Sequence, residues 1–182
     1  DRPASQVLCS DRPAVCYDRL SINIGSTPKY TDLSSENTRT VAVKPIYQFN
    51  VRWLALLSRV QTQPGPMHIA VVGGGAGGVE LILAMQHRLR HELNYFDKDP
   101  NALKFSLFTR GATILPTHNH SVQRRFTRTL KSRGITLHVN AAVVVVDEHG
   151  LTTVNGEHHL ADEVIWVTRA RGASWLTETG LS

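Results

Sequence analysis

Three glycines, Gly73, Gly75 and Gly78, stand in the spacing Gly-x-Gly-x-x-Gly, and the chemistry this spacing serves is the holding of phosphate groups by backbone alone. In a strand–turn–helix setting the first glycine allows the tight turn. The second leaves no Cβ between the main chain and a pyrophosphate, and the third lets the helix lie close against the strand. Free N–H groups at the start of that helix, with the positive end of its dipole, then complement the negative charge. Gly74, Ala76 and Gly77 complete the segment, and Glu80 lies just beyond it. The spacing becomes specific only when a strand leads in and a helix leads out. Both are present: His68-Ile69-Ala70-Val71-Val72 leads in, and Val79, Ile82, Leu89 and Leu93 mark the buried stripe of the helix that follows.

A dinucleotide held in this way usually meets an acidic residue about 20 positions on, which takes the adenosine ribose hydroxyls of NAD. Asp97 fits the count. The physical requirement, however, is the end of the second strand, and the run Lys104 to Thr109 places that end at Thr109-Arg110. Thr109 and Arg110 are therefore the expected ribose-side residues, and Asp97 and Asp99 are expected in the loop before the strand, forming a turn beside Pro100. A carboxylate at the strand end would repel a 2′-phosphate, whereas an Arg offers it a planar fork of donors. NADPH is thus expected to be accepted at least as well as NADH.

Other groupings carry less. Of nine histidines, His118, His120, His158 and His159 invite a metal reading, but they lack Cys or carboxylate partners at ligand spacing, and we assign no metal. No serine–histidine–acid arrangement or nucleophile motif is visible, so no catalytic residue is named. Arg124, Arg125, Arg128, Lys131 and Arg133 cluster, and the formal charge is +5. Val122, Phe126 and Leu130 recur at four-residue spacing through the same stretch, so the cations read as the solvent side of an amphipathic helix and no nucleic-acid partner is expected.

The elements that must position the glycine turn follow from periodicity. Ile46, Phe49, Trp53, Leu56, Leu57 and Val60 recur at helical spacing between Pro45 and the breaker Pro64-Gly65-Pro66. Strand, long helix, strand 104–109, basic helix and strand 135–139 then give the β-α-β-α-β order of a parallel mononucleotide-binding half. Short runs at 143–146, 151–154 and 158–160 are joined by His149-Gly150 and Asn155-Gly156, the second reading as a type I′ turn. They predict an antiparallel meander over one face of the parallel strands, before a last strand at 164–167. Residues 7–29 alternate, with Leu20, Ile22 and Ile24 on one face, and predict strand. Residues 31–40 read as polar loop.

Length and composition allow one ordinary domain with a sizeable core, or one domain flanked by pieces of a second. No run of about 18 apolar residues exists, and no signal peptide is visible. Cys9 and Cys16 are too few for a disulfide scaffold, are not spaced as Cys-x-x-Cys, and suggest a reducing, cytoplasmic setting. The chain opens at Asp1 in what already reads as strand and loop, so we take it as a fragment of a longer protein.

The run from Ile69 to Glu80 resembles the NAD(P)-binding segment of the pyridine nucleotide-disulfide oxidoreductase superfamily, in particular its type II NADH dehydrogenase-like branch. Tyr17-Asp18-Arg19-Leu20 with Ile24-Gly25-Ser26-Thr27-Pro28 resembles the segment that closes the first half of that family's FAD domain, and residues 162–168 resemble the return into it. The resemblance implies an α/β fold: a Rossmann-like parallel sheet with an antiparallel meander, flanked by FAD-domain fragments. It implies a partial FAD-domain segment at 1–44, a connector helix at 45–64, an NAD(P)-binding domain at 65–168 and a return segment at 169–182. It implies NAD or NADP as cofactor, FAD in the full-length protein, hydride transfer between them, an isolated fragment that is inactive, and Glu80 near the nicotinamide ribose. The electron acceptor is left open. The stretches 21–28, 44–46, 52–53 and 107–116 are also similar to the flavoprotein domain fused ahead of selenide, water dikinase in some bacteria. On that alternative the chain is a non-catalytic or regulatory nucleotide-binding module with a kinase domain as partner. The pattern departs from the family at Asn23-Ile24-Gly25 and Val167-Thr168-Arg169, where Ala-Thr-Gly is usual, and Arg169 replaces a turn glycine.

Overall fold

The structure is a computed structural model and describes residues 5–24, 27–28, 40–42, 46–62, 65–167, 170–171 and 174–179. In chain order its elements are β1 (Gln6–Val7), β2 (Val15–Cys16), β3 (Thr27–Pro28), β4 (Thr40–Ala42), α1 (Ile46–Thr62), β5 (Met67–Val72), α2 (Ala76–Tyr95), β6 (Leu103–Phe108), α3 (His120–Ser132), β7 (Ile135–His138), β8 (Val143–Val146), β9 (Gly150–Thr153), β10 (His158–Leu160), β11 (Glu163–Trp166) and β12 (Ala170–Arg171). Short 3-10 turns lie at Pro100–Ala102 and Ser174–Glu178.

Five parallel strands in the order β4-β11-β5-β6-β7 form the central sheet. Strands buried on both faces need continuous apolar runs rather than alternation, and Ile69, Val71, Leu107 and Ile165 on one face with Ala70, Val72, Phe108 and Val164 on the other supply them. The first face carries the helices. Leu56 and Val60 of α1, Val79, Ile82, Met85, Leu89 and Leu93 of α2, and Leu130 of α3 close over it. Arg59 of α1 donates to the buried Glu163 carboxylate at 2.5 Å and to the Asp162 carbonyl at 3.3 Å, tying that helix to the start of β11.

The second face carries the antiparallel meander β10-β9-β8, whose Val146 and Leu151 pack on Ala70, Phe108 and Trp166. The turn between β9 and β10 differs from the type I′ expectation. Gly156 N–H donates to the Thr153 carbonyl, Thr153 N–H donates to the Glu157 carbonyl, and Gly156 alone takes a positive φ of 81°. That is a type I turn closed by a left-handed glycine bulge, a longer connection that Asn-Gly also serves.

Two further readings change. Residues 17–24 form no strand, and Leu20, Ile22 and Ile24 are 43%, 38% and 55% exposed. What regular structure this segment has is the hairpin β1–β2 and the short pairing of β3 with β12. Thr40–Ala42, of which Thr40 ends the expected loop and the other two residues are assigned no element from sequence, adds a parallel strand beside β11. Gly25, Ser26, Lys44, Pro45, Thr168 and Arg169 lie outside the described residues.

Candidate functional site

The turn between β5 and α2 is built from backbone. Gly73 leaves the strand with φ 135°, a conformation L side chains rarely adopt. Its N–H donates to the Phe108 carbonyl at 2.9 Å, which pins the turn to the end of β6. Gly78 faces inward: a Cβ there would stand 1.8 Å from the Gly73 carbonyl oxygen. Gly75 faces outward, with nothing within 4 Å of its would-be Cβ. It is also the helix N-cap, and no side chain caps α2. The first-turn N–H groups have no intrahelical acceptors, so they are presented to whatever occupies the open side of Gly75. The residues present therefore fit a pyrophosphate: a space a Cβ would fill, and donors without partners among the described residues.

The end of β6 is the second wall. A Cβ on Gly74 would come within 2.6 Å of both Cβ and Oγ1 of Thr109, so the buried Thr109 fills the room beside the turn. Its N–H donates to the His138 carbonyl and its carbonyl accepts from Ala141 N–H, both at 2.9 Å. Arg110 follows, exposed, and makes no ion pair with another described residue. Leu115 N–H reaches back to the Gly74 carbonyl at 2.7 Å, with Leu115 itself at φ 53°. Gln123 on α3 donates to the carbonyls of Leu115 and His118 at 3.2 and 2.9 Å. The glycine turn, the end of β6 and the start of α3 thus form one hydrogen-bonded unit.

Gly73, Gly74, Gly75, Ala76, Gly77, Gly78, Thr109 and Arg110 come together around this unit. Glu80 is exposed on α2, past its first turn. Asp97 and Asp99 lie before β6: Asp97 takes a left-handed φ of 53°, and Asp99 accepts from Asn101 N–H at 2.8 Å as the cap of the 3-10 turn. Neither approaches the strand end. The roles of Leu115 and Gln123 had no sequence signal, because a left-handed leucine and a glutamine reaching two carbonyls are set by the loop's path.

Histidines gather elsewhere. His138 stacks on Phe108 with ring centroids 4.3 Å apart, and His159 meets His138 edge-on at 4.7 Å. His68 shares a 2.8 Å hydrogen bond with Ser106. Burial, and then the neighbouring imidazole of His159, hold His138 below its ordinary pKa; burial does the same for His68 against the opposing pull of Asp162. Among the described residues no group of three or more His, Cys, Asp or Glu converges as a metal site, and no helix is long and apolar enough to cross a membrane.

The family model for pyridine nucleotide-disulphide oxidoreductases matches residues 1–181. The chain belongs to that family. A type II NADH:quinone oxidoreductase from Haemophilus influenzae is 28% identical over 110 residues, 59% of this chain and 25% of that protein. NDH2 from Plasmodium falciparum, solved in complex with NADH, shares 22% identity and a TM-score of 0.71 over 89% of this chain and 36% of its own. A ferredoxin reductase from Rhodopseudomonas palustris shares 15% identity and a TM-score of 0.72 over 93% and 39%. At these identities the two solved structures speak for the fold, an α/β parallel sheet with antiparallel strands. The chain spans well under half the length of each of these relatives.

Proposed function

We propose that this chain is the NAD(P)H-binding part of an FAD-dependent oxidoreductase, and that in the longer protein it delivers a hydride from NAD(P)H to FAD. One observation carries the reading: Gly78 packs where a Cβ would overlap the Gly73 carbonyl, while Gly75 opens the same turn outward. Close packing on one side and an empty, donor-lined space on the other is what a pyrophosphate cradle requires. Family membership and the NADH-bound state of the Plasmodium relative support the same ligand class.

On this reading Gly73 to Gly78 hold the pyrophosphate by backbone N–H and dipole. Thr109 and Arg110 face the adenosine ribose, with Arg110 free to pair a 2′-phosphate. Glu80 lies toward the nicotinamide side. When bound, the nicotinamide supplies the hydride and the flavin accepts it, while this chain binds and orients. The FAD-contacting residues at 1–44 and 169–182, the connector role of 45–64 and a cytoplasmic setting belong to the same proposal.

Calorimetric titration of the 182-residue chain tests it. The chain should bind NADH or NADPH in the micromolar range and purify without flavin colour. A stoichiometric yellow flavin, or no dinucleotide binding, contradicts the assignment. The longer protein should be yellow and oxidise NAD(P)H with a quinone or dye acceptor; a colourless, inactive protein carrying a kinase domain would favour the regulatory module instead.

A further inference from the structure

A groove of about 510 Å³ lies between α3 and β7, and none of residues 73–78 lines it. Its accessible apolar lining includes the half-buried Leu137 and the exposed Val139, over the fully buried Ile114, and its other side is a row of His120, Arg124, Arg128 and Lys131 along α3. No carboxylate lines it. The helix His120–Ser132 contains no acidic residue, and none of Arg124, Arg128 and Lys131 makes an ion pair with another described residue. Surface cations commonly find a partner within their own fold at little gain. Here a whole row stands without one beside apolar surface.

The floor of the groove is also a sheet margin. Among the described residues β7 is the outermost strand of the five-stranded sheet and pairs there with β6 alone. An outer strand offers a template for one more extended segment. The dimensions agree: His120 to Lys131 covers about 16 Å of helix rise, the length of roughly five residues of extended chain. Arg124 and Arg128 are about 6 Å apart along the axis, close to the roughly 6.6 Å repeat between alternate residues of a strand.

We propose that this groove docks an extended acidic segment of a partner protein, its alternate carboxylates on Arg124, Arg128 and Lys131 and its intervening apolar side chains on Leu137 and Val139. The inference does not depend on which dinucleotide the chain takes. It assigns the cations of α3 a protein ligand where their sequence suggested only a solvated face.

The probe is a fluorescein-labelled six-residue peptide of alternating Glu and Val, followed by anisotropy, beside an isomer with its three Glu residues contiguous. The alternating peptide should bind at least fivefold more tightly than the isomer. Arg124→Glu or Arg128→Glu should weaken it tenfold or more. Arg125→Glu changes net charge equally but lies off the groove, and should weaken it less than threefold. All three positions are exposed, and circular dichroism checks that each variant is folded. Absence of binding, equal binding of the isomer, or an Arg125→Glu effect matching Arg128→Glu overturns the proposal in favour of diffuse attraction. Binding by this chain but not by the longer protein overturns it in favour of a segment of the same polypeptide covering the groove.

Discussion

The ends of β5 and β6 lie side by side and are made in opposite ways. At the end of β5 the contacts of Gly73 and Gly78 are backbone against backbone, and the side chains matter by their absence. At the end of β6 a buried Thr109 fills space and an exposed Arg110 carries charge. At the first end Gly78 tolerates almost no variation, because the Gly73 carbonyl it would meet cannot move aside. At the second, Arg110 is exposed and makes no ion pair with another described residue, so on the proposed reading its charge is available to a ligand. If the proposed site is right, one fold can keep its phosphate grip fixed while its ribose side changes.

The sharpest way to break this contrast is Gly78→Val. Its Cβ alone would overlap the Gly73 carbonyl, so the variant should lose more than ~4 kcal/mol, an exceptional value for one substitution, and recover little folded protein in chemical denaturation. Gly75→Val should do the reverse. Its backbone is extended, with φ −76°, and its surroundings are open, so stability should fall by no more than about 1 kcal/mol, the scale of a lost N-cap. Calorimetry should then show no dinucleotide binding. Wild-type affinity in this variant would mean that the phosphate site lies elsewhere.

Gly74→Ala tests the boundary between the two ends. The new methyl meets Thr109 rather than backbone, so overpacking should cost ~1–3 kcal/mol. Thr109→Gly in the same chain should recover part of it, giving a coupling that two independent sites would not show. Arg110→Ala is smaller and confined to ligand choice: NADPH affinity should drop about tenfold, or ~1.4 kcal/mol, while NADH changes less than twofold and the melting temperature stays put. A tenfold preference for NADH, unchanged by this substitution, would remove Arg110 from the selection.

The β6 end should also be the more sensitive to acid, since Thr109 N–H hangs on the carbonyl of His138. His138 and His68 are held below their ordinary pKa in the fold, so the unfolded chain binds protons first. Stability present above about pH 6.5, the unperturbed histidine value, should be lost as pH falls below it. Denaturant midpoints measured from pH 7.5 to 5 should decline, and His138→Gln should flatten part of that slope. A midpoint that rises toward pH 5 would contradict the direction.

The β5 end was legible in the sequence because sterics there act within a few residues: Gly73, Gly75 and Gly78 are spaced by the turn they make. The core stripes of α1 and α2 were legible for the same local reason, since Leu56, Val60, Ile82 and Leu89 repeat with the helix. Distant partners were not. Nothing near Gly74 announces Thr109, and nothing in residues 31–40 announces that Thr40–Ala42 will find β11. Leu20, Ile22 and Ile24 show the opposite failure: they alternate as a strand should, yet alternation makes a strand only where another strand can pair with it. Asn155-Gly156 marked the hairpin correctly and its turn type incorrectly, because the pair serves both a two-residue loop and a bulged one.

The position of β11 bears on how the chain comes off the ribosome. β5, β6 and β7 follow one another closely and can align as they emerge, but β11 comes after the meander and must then enter beside β5. β4, made long before, has β11 as its sole sheet neighbour among the described residues, so that pairing waits for the synthesis of almost everything between. Such distant pairing slows folding, and the waiting strand is the segment through which a nascent chain would meet another copy of itself.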